Sequence, residues 1–553
     1  MPPSDKISRY VGPWPDGLIT RHEGSYDVAE SFVGDIINLD VTDYGVLIQR
    51  PGFVRFHDAW ADGWPGSFTN FGTFRLLGSH PSAINGNLRL YVSILKQVTG
   101  TWRERVYYTD DPTTGSPTQL FENDHGASKP ADNKLINSVV LYNGELFFIR
   151  RGAASAGTFQ NNISMDNGDT TGATANALTL VQSQFGYYSF VMQDRVFVVD
   201  LNGSKVNYSK ATAPRNWTAP DGGFFSVNPL DAQQVTAVIA LEDIVYIFKE
   251  DSTWAFTFNT DPAVDGILRQ VNKQFGALDA TNKGSDIYVV NRQGIYRFID
   301  GEFLSIAENI RTIIDSPDSW GESVSITIVA NRLILGGFFE SGSYTSLCMN
   351  LNTGAWTKYD PSDSFISANS KRSFAVSSSS GTAWQVWGDT PSAVVDGVLN
   401  SGGGYFSMMR IGGDINNPDG KCKDQDRSGN FLVPRYMMVT VPLAMDDATR
   451  WKKLYRWRYD LQHVDADNLD AKPTFSIREG DPSVVDASQL ITNYADFYTD
   501  FFDSVVTKQQ RFRVIQFGID KAETATGSGI TDQVTFRVRG LTMDYSIRGL
   551  IRT

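Results

Sequence analysis

Val139-Val140-Leu141-Tyr142-Asn143-Gly144-Glu145-Leu146-Phe147-Phe148-Ile149 reads as two apolar strands joined by the tightest of turns. Asn-Gly supplies positive φ at both central positions of a type I′ turn, and that turn has the twist of the strands it joins. The same plan recurs along the chain. Phe190-Val191-Met192 turns at Gln193-Asp194 into Val196-Phe197-Val198-Val199, and Val238-Ile239-Ala240 turns near Glu242-Asp243 into Ile244-Val245-Tyr246-Ile247-Phe248. Ile287-Tyr288-Val289-Val290 follows a turn at Gly284-Ser285-Asp286, and Ile326-Thr327-Ile328-Val329 turns at Asn331-Arg332 into Leu333-Ile334-Leu335. Asn85-Gly86-Asn87 before Leu88-Arg89-Leu90-Tyr91-Val92 is an earlier copy. Ser377 to Gly381 before Trp384-Gln385-Val386-Trp387 is a late, weak one.

Turns at 86, 143, 194, 243, 286, 331 and 380 are separated by 57, 51, 49, 43, 45 and 49 residues. Units of roughly 45–55 residues suit four-stranded propeller blades. Several strands are apolar on both faces, as expected where each blade is covered by its neighbours. An outer hairpin follows in places, as at Leu351-Asn352-Thr353-Gly354-Ala355-Trp356. The expected fold is all-β: a β-propeller of about seven blades over residues 60–400, preceded by an N-terminal arm and first strands at 1–59. The alternative is a run of unrelated hairpins from two or three sandwiches.

Ser401-Gly402-Gly403-Gly404 marks a boundary, and a polar stretch from Gly412 to Asn430 reads as an exposed loop, the first place for a protease to cut. Beyond it the strands lengthen: Tyr436–Val441, Lys453–Tyr459, Arg511–Ile519 and Val534–Leu541. Arg and Lys alternate with apolar residues there, which makes one core face and one charged face. Residues 401–553 are therefore expected to form a β-sandwich and oligomerisation domain, to which the N-terminal arm is a candidate contributor. Its outward arginines Arg456, Arg458, Arg511, Arg513, Arg537 and Arg539 are the candidate subunit interface, since a guanidinium pairs with carboxylates in fixed, fork-like geometry. A solvated face is the alternative.

Composition narrows the function. The 553 residues are 41% hydrophobic and 20% charged, which is globular, and 12% aromatic with 34 Phe and 22 Tyr, which favours strands. Net charge is −13, against the basic surface that phosphate binding needs. The start lacks the layout of a secretory signal, and no apolar stretch reaches the ~18 residues of a membrane span. Two cysteines, Cys348 and Cys422, make no disulfide framework, so assembly in a reducing cytoplasm is expected. The five histidines (His22, His57, His80, His125 and His463) show no metal-ligand spacing. Asp414–Gly420 breaks the EF-hand pattern at Pro418. Asp465–Asp470 is either a surface calcium loop or, as the commoner case, a solvated acidic turn. No nucleophile elbow, Walker loop or dinucleotide loop appears. The expectation is no catalytic residue, no cofactor and no metal.

One stretch carries a resemblance. Asn38-Leu39-Asp40-Val41-Thr42-Asp43-Tyr44-Gly45-Val46-Leu47-Ile48-Gln49-Arg50-Pro51-Gly52 resembles the opening of bacteriophage tail hub, nozzle and related virion structural proteins, in which such a stretch precedes a propeller. The end, Val534 to Arg548 with Gly540-Leu541-Thr542-Met543-Asp544-Tyr545, is similar to their terminal strands. The resemblance implies a non-enzymatic tail component of the virion, assembled in the host cytoplasm as a homo-oligomer, six copies in a hub or nozzle or three in a minor tail protein. It implies adaptor or tube proteins and fibres or spikes as partners, DNA passing during ejection without specific binding, and no membrane partner. A glycan-binding or glycan-cleaving propeller of a phage tail or bacterial surface is the second hypothesis. Two carboxylates roughly 5–10 Å apart in a pocket would favour it. A repeat scaffold unrelated to phage is the third.

Overall fold

The computed structural model is almost entirely β, with one short helix at Arg311–Ile314 among the described residues. It describes residues 7–19, 32–52, 54–55, 71–81, 88–109, 118–130, 135–142, 145–150, 162–165, 179–180, 186, 188–200, 204–218, 220–315, 320–340, 343–360, 372–379, 382–388, 394–395, 398–400, 406–412, 424–425, 431–441, 443, 450–464, 474–480, 491–493, 501–512, 514–521, 524–526 and 535–547.

Seven antiparallel meanders of four strands follow one another along the chain. Their first strands are Phe71–Pro81, Ile136–Tyr142, Tyr188–Met192, Val235–Leu241, Asp279–Lys283, Trp320–Val329 and Arg372–Ser379. These head sheets one to seven. Each first strand packs against the first strand of the next sheet, and Arg372–Ser379 of sheet seven also packs against Phe71–Pro81 of sheet one.

Local chemistry accounts for the hairpins. Gln193 and Asp194 adopt φ of 42° and 58°, the left-handed pair that a two-residue turn requires. Asp300-Gly301 does the same at 51° and 91°. At the head of sheet six the turn falls one residue earlier than expected. Ala330 takes the positive φ, of 51°, and Arg332 begins the returning strand opposite Val329. Arg195–Val199 is buried at every position, which explains its unbroken apolar run: both faces of the strand are covered.

Sheet seven draws two of its four strands from beyond residues 60–400. After Arg372–Ser379 and Thr382–Gly388 come Phe406–Gly412 and then Val54–Arg55 from the N-terminal segment. Val398–Asn400 and Val394–Val395 extend sheet one beyond Phe71–Pro81, and Asp424–Gln425, Phe431–Val433 and Thr524–Thr526 form a small separate sheet. The other strands interleave the two ends of the chain in two larger sheets. One sheet runs Leu39–Val41, Leu47–Gln49, Thr535–Ile547, Lys452–Val464, Phe501–Phe512, with Ile7–Val11 also on Thr535–Ile547. The other continues from the outer strand of sheet six. Gly17–Leu18 and Phe32–Ile37 join Trp356–Tyr359 in parallel, and Tyr436–Thr440, Val514–Lys521, Thr474–Gly480 and Ile491–Asn493 follow antiparallel, making ten strands. One apolar core joins these sheets to sheets five and six, and includes Trp14, Trp356, Trp457, Phe517, Tyr545 and Ile295. Most of the Gly412–Asn430 stretch, and Asp465–Asp470, lie outside the described residues.

Candidate functional site

A dense buried polar cluster is built around the stretch Asn38–Gly52. Leu39–Val41 and Leu47–Gln49 form a hairpin closed by Asp43-Tyr44-Gly45. Thr42 organises the turn: its carbonyl accepts Gly45 N at 2.9 Å and its hydroxyl accepts Val46 N at 3.0 Å. Gly45 has φ +72°, and a Cβ there would stand 2.6 Å from Pro15 N.

Asp40 sits between Leu39 and Val41 and is fully buried. Arg332 donates to its Oδ2 from two nitrogens, at 2.8 and 3.2 Å, and Tyr359 donates its hydroxyl to Oδ1. Arg332 is equally buried. Burial by itself would lower the Arg332 pKa, but the charge of Asp40 more than reverses this, so the guanidinium stays ionised. Burial and the same carboxylate push the Tyr359 phenol far up, and likewise the neighbouring Cys348 thiol, which is therefore inert.

Each polar side chain around this pair crosses from the N-terminal stretch to another part of the fold. Asn38 accepts Arg50 Nε at 2.6 Å and Asp360 N at 2.8 Å, and donates to the Arg435 carbonyl at 2.5 Å. Asn350 donates to Asp43 and to the Val41 carbonyl, at 2.8 and 3.0 Å. Thr357 donates to the Leu39 carbonyl at 2.5 Å, and Asn352 to Asp43 at 2.8 Å. The cluster is a joint: it fastens the N-terminal hairpin to sheet six on one side and to the Tyr436–Thr440 strand on the other. A buried charge pair this fully hydrogen-bonded holds one geometry, because an alternative arrangement would strand a charge in a dry interior. Sequence reading marked the stretch but not its partners Arg332, Asn350 and Tyr359. Only Arg332 carried a signal, as a charged residue opening the apolar run Leu333-Ile334-Leu335.

A second set of bonds links neighbouring sheets at or beside their first strands. His80 meets the Val139 carbonyl at 3.0 Å, and Ser138 meets Ser189 at 3.0 Å. Tyr188 donates to the Thr236 carbonyl, Thr236 to the Ala277 carbonyl, and Ile326 N to Asp279 at 2.9 Å. Between sheets one and two lies a buried ionic cluster. Glu104 accepts Ser93 Oγ and Ile136 N, each at 2.8 Å, with His125 at 3.5 Å and Arg150 nearby. Burial alone would raise the Glu104 pKa. The hydrogen bond and charge of His125, with Arg150 and the Ile136 N–H, bring it instead to about 2.

Of the six arginines expected at a subunit interface, three have side chains among the described residues. Arg539 is exposed, while Arg456 and Arg537 are half-buried. A register shift after Leu454 turns both Tyr455 and Arg456 outward while Trp457 stays in the core. In the strand register Arg456 stands opposite Asp544 and Arg458 opposite Asp503. Arg511 lies opposite Lys453. The side chains of Arg458 and Arg511, and the whole of Arg513, lie outside the described residues. Exposed Tyr10 covers Gly540 on the outward face beside Arg539. Among the described residues no group of three or more His, Cys, Asp or Glu is placed to hold a metal, and no helix is long and apolar enough to cross a membrane.

No family model matches the chain, and no curated protein matches it. Solved structures with a similar course include a prolyl endopeptidase from a study of two such enzymes, at TM-score 0.36 and 10% identity. That likeness covers 67% of this chain and 55% of the endopeptidase, so the chain spans about half the length of that protein. Apo AztD from Citrobacter koseri has TM-score 0.28 and 7% identity over 53% of this chain and 95% of its own. A Trypanosoma rangeli sialidase has TM-score 0.28 and 8% identity over 92% and 94%. Likenesses this distant carry no inference about activity.

Proposed function

We propose that the chain is a non-enzymatic structural component of a bacteriophage tail, a hub, nozzle or distal tail protein, built as a seven-bladed β-propeller with an attached β-sandwich. Seven consecutive four-stranded meanders whose first strands meet in cyclic order support the propeller. So does the Val54–Arg55 strand, which completes the last sheet immediately before the chain enters the first. In this reading the propeller takes in Val54–Arg55 and reaches Gly412, and the sandwich combines both ends of the chain. The observation that carries the function is the joint. The residues that resemble tail proteins are committed to internal bonds that fix one module on another, which suits a part whose task is to hold shape.

The virion is the proposed location. Proposed partners are further copies of the chain, six in a hub or nozzle or three in a minor tail protein, adaptor or tube proteins, and fibres or spikes, with DNA in transit. A heterologous contact repeated about an axis closes into such a ring. The test is electron cryomicroscopy of purified particles, reading copy number and symmetry of density that fits this chain. A closed ring of copies at the tail is expected. Absence from the particle, or one isolated copy there, overturns the proposal. Reproducible glycan cleavage by the purified protein, lost on changing one Asp or Glu, would favour the enzymatic alternative.

A further inference from the structure

Two surfaces on different modules of the chain expose apolar or aromatic side chains amid opposite charge. The first is the loop of sheet four between Thr253–Thr257 and the outer strand Ile267–Asn272, where Val264 is 83% and Ile267 64% exposed. The loop is pinned from within. The Asp265 carboxylate accepts Asn259 N, Thr260 N, the Thr260 hydroxyl and Asp261 N at 2.9–3.2 Å, and Asp261 accepts Ala263 N at 2.9 Å. A Cβ on Gly266 would stand 2.2 Å from the Pro262 carbonyl oxygen, so the turn admits no side chain there. An apolar tip on a pinned loop has already lost the freedom that docking would otherwise cost. Gln193 donates to Asp243 at 3.2 Å and to the Phe258 carbonyl at 3.0 Å, which sets the first turn of sheet four beside this loop. A Cβ on Gly301 would stand 2.8 Å from Val271, which brings in the Asp300-Gly301 turn of sheet five. At this end of the two sheets the exposed acids Glu242, Asp243, Asp300 and Glu302 outnumber the exposed bases Arg269 and Lys283.

The second surface is the outward face of the sheet that joins the two ends of the chain. Tyr10, 48% exposed, lies over Gly540, where a Cβ would stand 2.2 Å from its ring, so the ring packs on bare backbone. Arg539 is exposed next to that glycine. Alternation about the buried Val538, Leu454 and Trp457 puts Arg537, Arg456 and Lys453 on the same face, against Asp460 and Asp544. Tyrosine and arginine are enriched among the residues that carry protein–protein contacts.

We propose that the Val264–Ile267 loop of one copy docks on the Tyr10–Arg539 face of a second copy of this chain. The proposal rests on the homo-oligomer part of the tail reading and names the two surfaces of that contact. Charge selects a second copy as the occupant. Four cations to two acids on the terminal face meet four exposed acids to two bases around the loop, so each surface attracts the other and repels its own kind. The two surfaces differ, so the contact is heterologous and repeats from copy to copy.

The test is sedimentation of the full chain at low salt, up to about 100 μM, with association constants compared by mass action. One variant makes the loop end basic, Glu242→Lys with Asp243→Lys. Another makes the terminal face acidic, Arg537→Glu with Arg539→Glu. The wild-type chain is expected to associate, and each variant alone to lose at least about 10-fold in association constant. A 1:1 mixture of the two variants should recover to within about 3-fold of wild type, because each then offers the charge that the other lacks. Val264→Ser, confined to the exposed tip, should lose about 5-fold, and Leu304→Ser, on the outer strand of sheet five, should lose nothing. A monomeric wild-type chain overturns the contact. So does a mixture no better than either charge variant alone, or a Val264→Ser chain that associates no more weakly than Leu304→Ser. A ring in the particle without recovery in the mixture sinks these surfaces and leaves the tail reading standing. Recovery in the mixture with no copy in the particle does the reverse.

Discussion

Replacing Asp40 by Asn tests whether the joint is held by charge. The substitution keeps the shape of the side chain and removes its charge, leaving Arg332 ionised in an interior with 0% side-chain exposure. Over 2.8 Å, at an effective dielectric of about 20, the lost attraction is about 6 kcal/mol. Burial of each ion costs several kcal/mol whether or not the other is present, so the net loss on removing one partner is about 3–5 kcal/mol. Replacing Arg332 by Met as well removes the stranded cation, and the double variant should recover at least about 2 kcal/mol relative to the sum of the singles. Arg435–Asp520, also at 2.8 Å but with side chains 51% and 43% exposed, serves as the internal control. There Asp520→Asn should cost under about 1 kcal/mol. Urea unfolding followed by tryptophan fluorescence reads all four variants, since Trp14 and Trp356 lie in the core that the joint closes. A loss below about 1 kcal/mol for Asp40→Asn, or additive singles with no coupling, would refute the reasoning.

Two further substitutions probe the fold. Gly45→Ala should destabilise by at least about 1 kcal/mol in the same assay, because its φ of +72° disfavours a side chain and the new Cβ would meet Pro15 N at 2.6 Å. Glu104 is held at a pKa of about 2 against an ordinary 4.5, so its contribution is present above pH 4.5 and is lost as pH falls through about 2. Acid unfolding should show about 3 kcal/mol of stability disappearing across that window in the wild-type chain, and a flatter profile in Glu104→Gln.

The hairpins were legible because both their signals are local. A run such as Val196–Val199, apolar on consecutive residues, announces a strand covered on both faces, and Gln193-Asp194 between two such runs announces the turn. What could not be read was which distant strands would complete a sheet. Val54–Arg55 is two residues long, and nothing in two residues names Met409 and Arg410 as their partners. The same holds for the parallel contact of Gly17 with Trp356. Sheet pairing is decided by burial of a shared face, and that face exists only after the chain has come together. Nor does composition near residue 400 announce that Phe406–Gly412 pairs with Thr382–Gly388.

The polar residues divide along the same line. The alternation of arginines in the C-terminal strands was visible as a pattern, but a period-2 reading assumes unbroken pleating. One register shift after Leu454 is enough to put Tyr455 and Arg456 on the same side. Nor does alternation reveal that Asp544 and Asp503 stand across from Arg456 and Arg458. Of the three arginines whose side chains are described, Arg539 is exposed while Arg456 and Arg537 are half-buried. Asp40 shows the opposite case. Flanked by Leu39 and Val41 it looks like a surface residue in a short strand, yet it is among the least exposed of the described residues. Its meaning comes from Arg332, 292 residues away. A charge placed at such distance from its partner in sequence is satisfied only when both modules have closed in one register, which makes it a check on assembly as well as a bond.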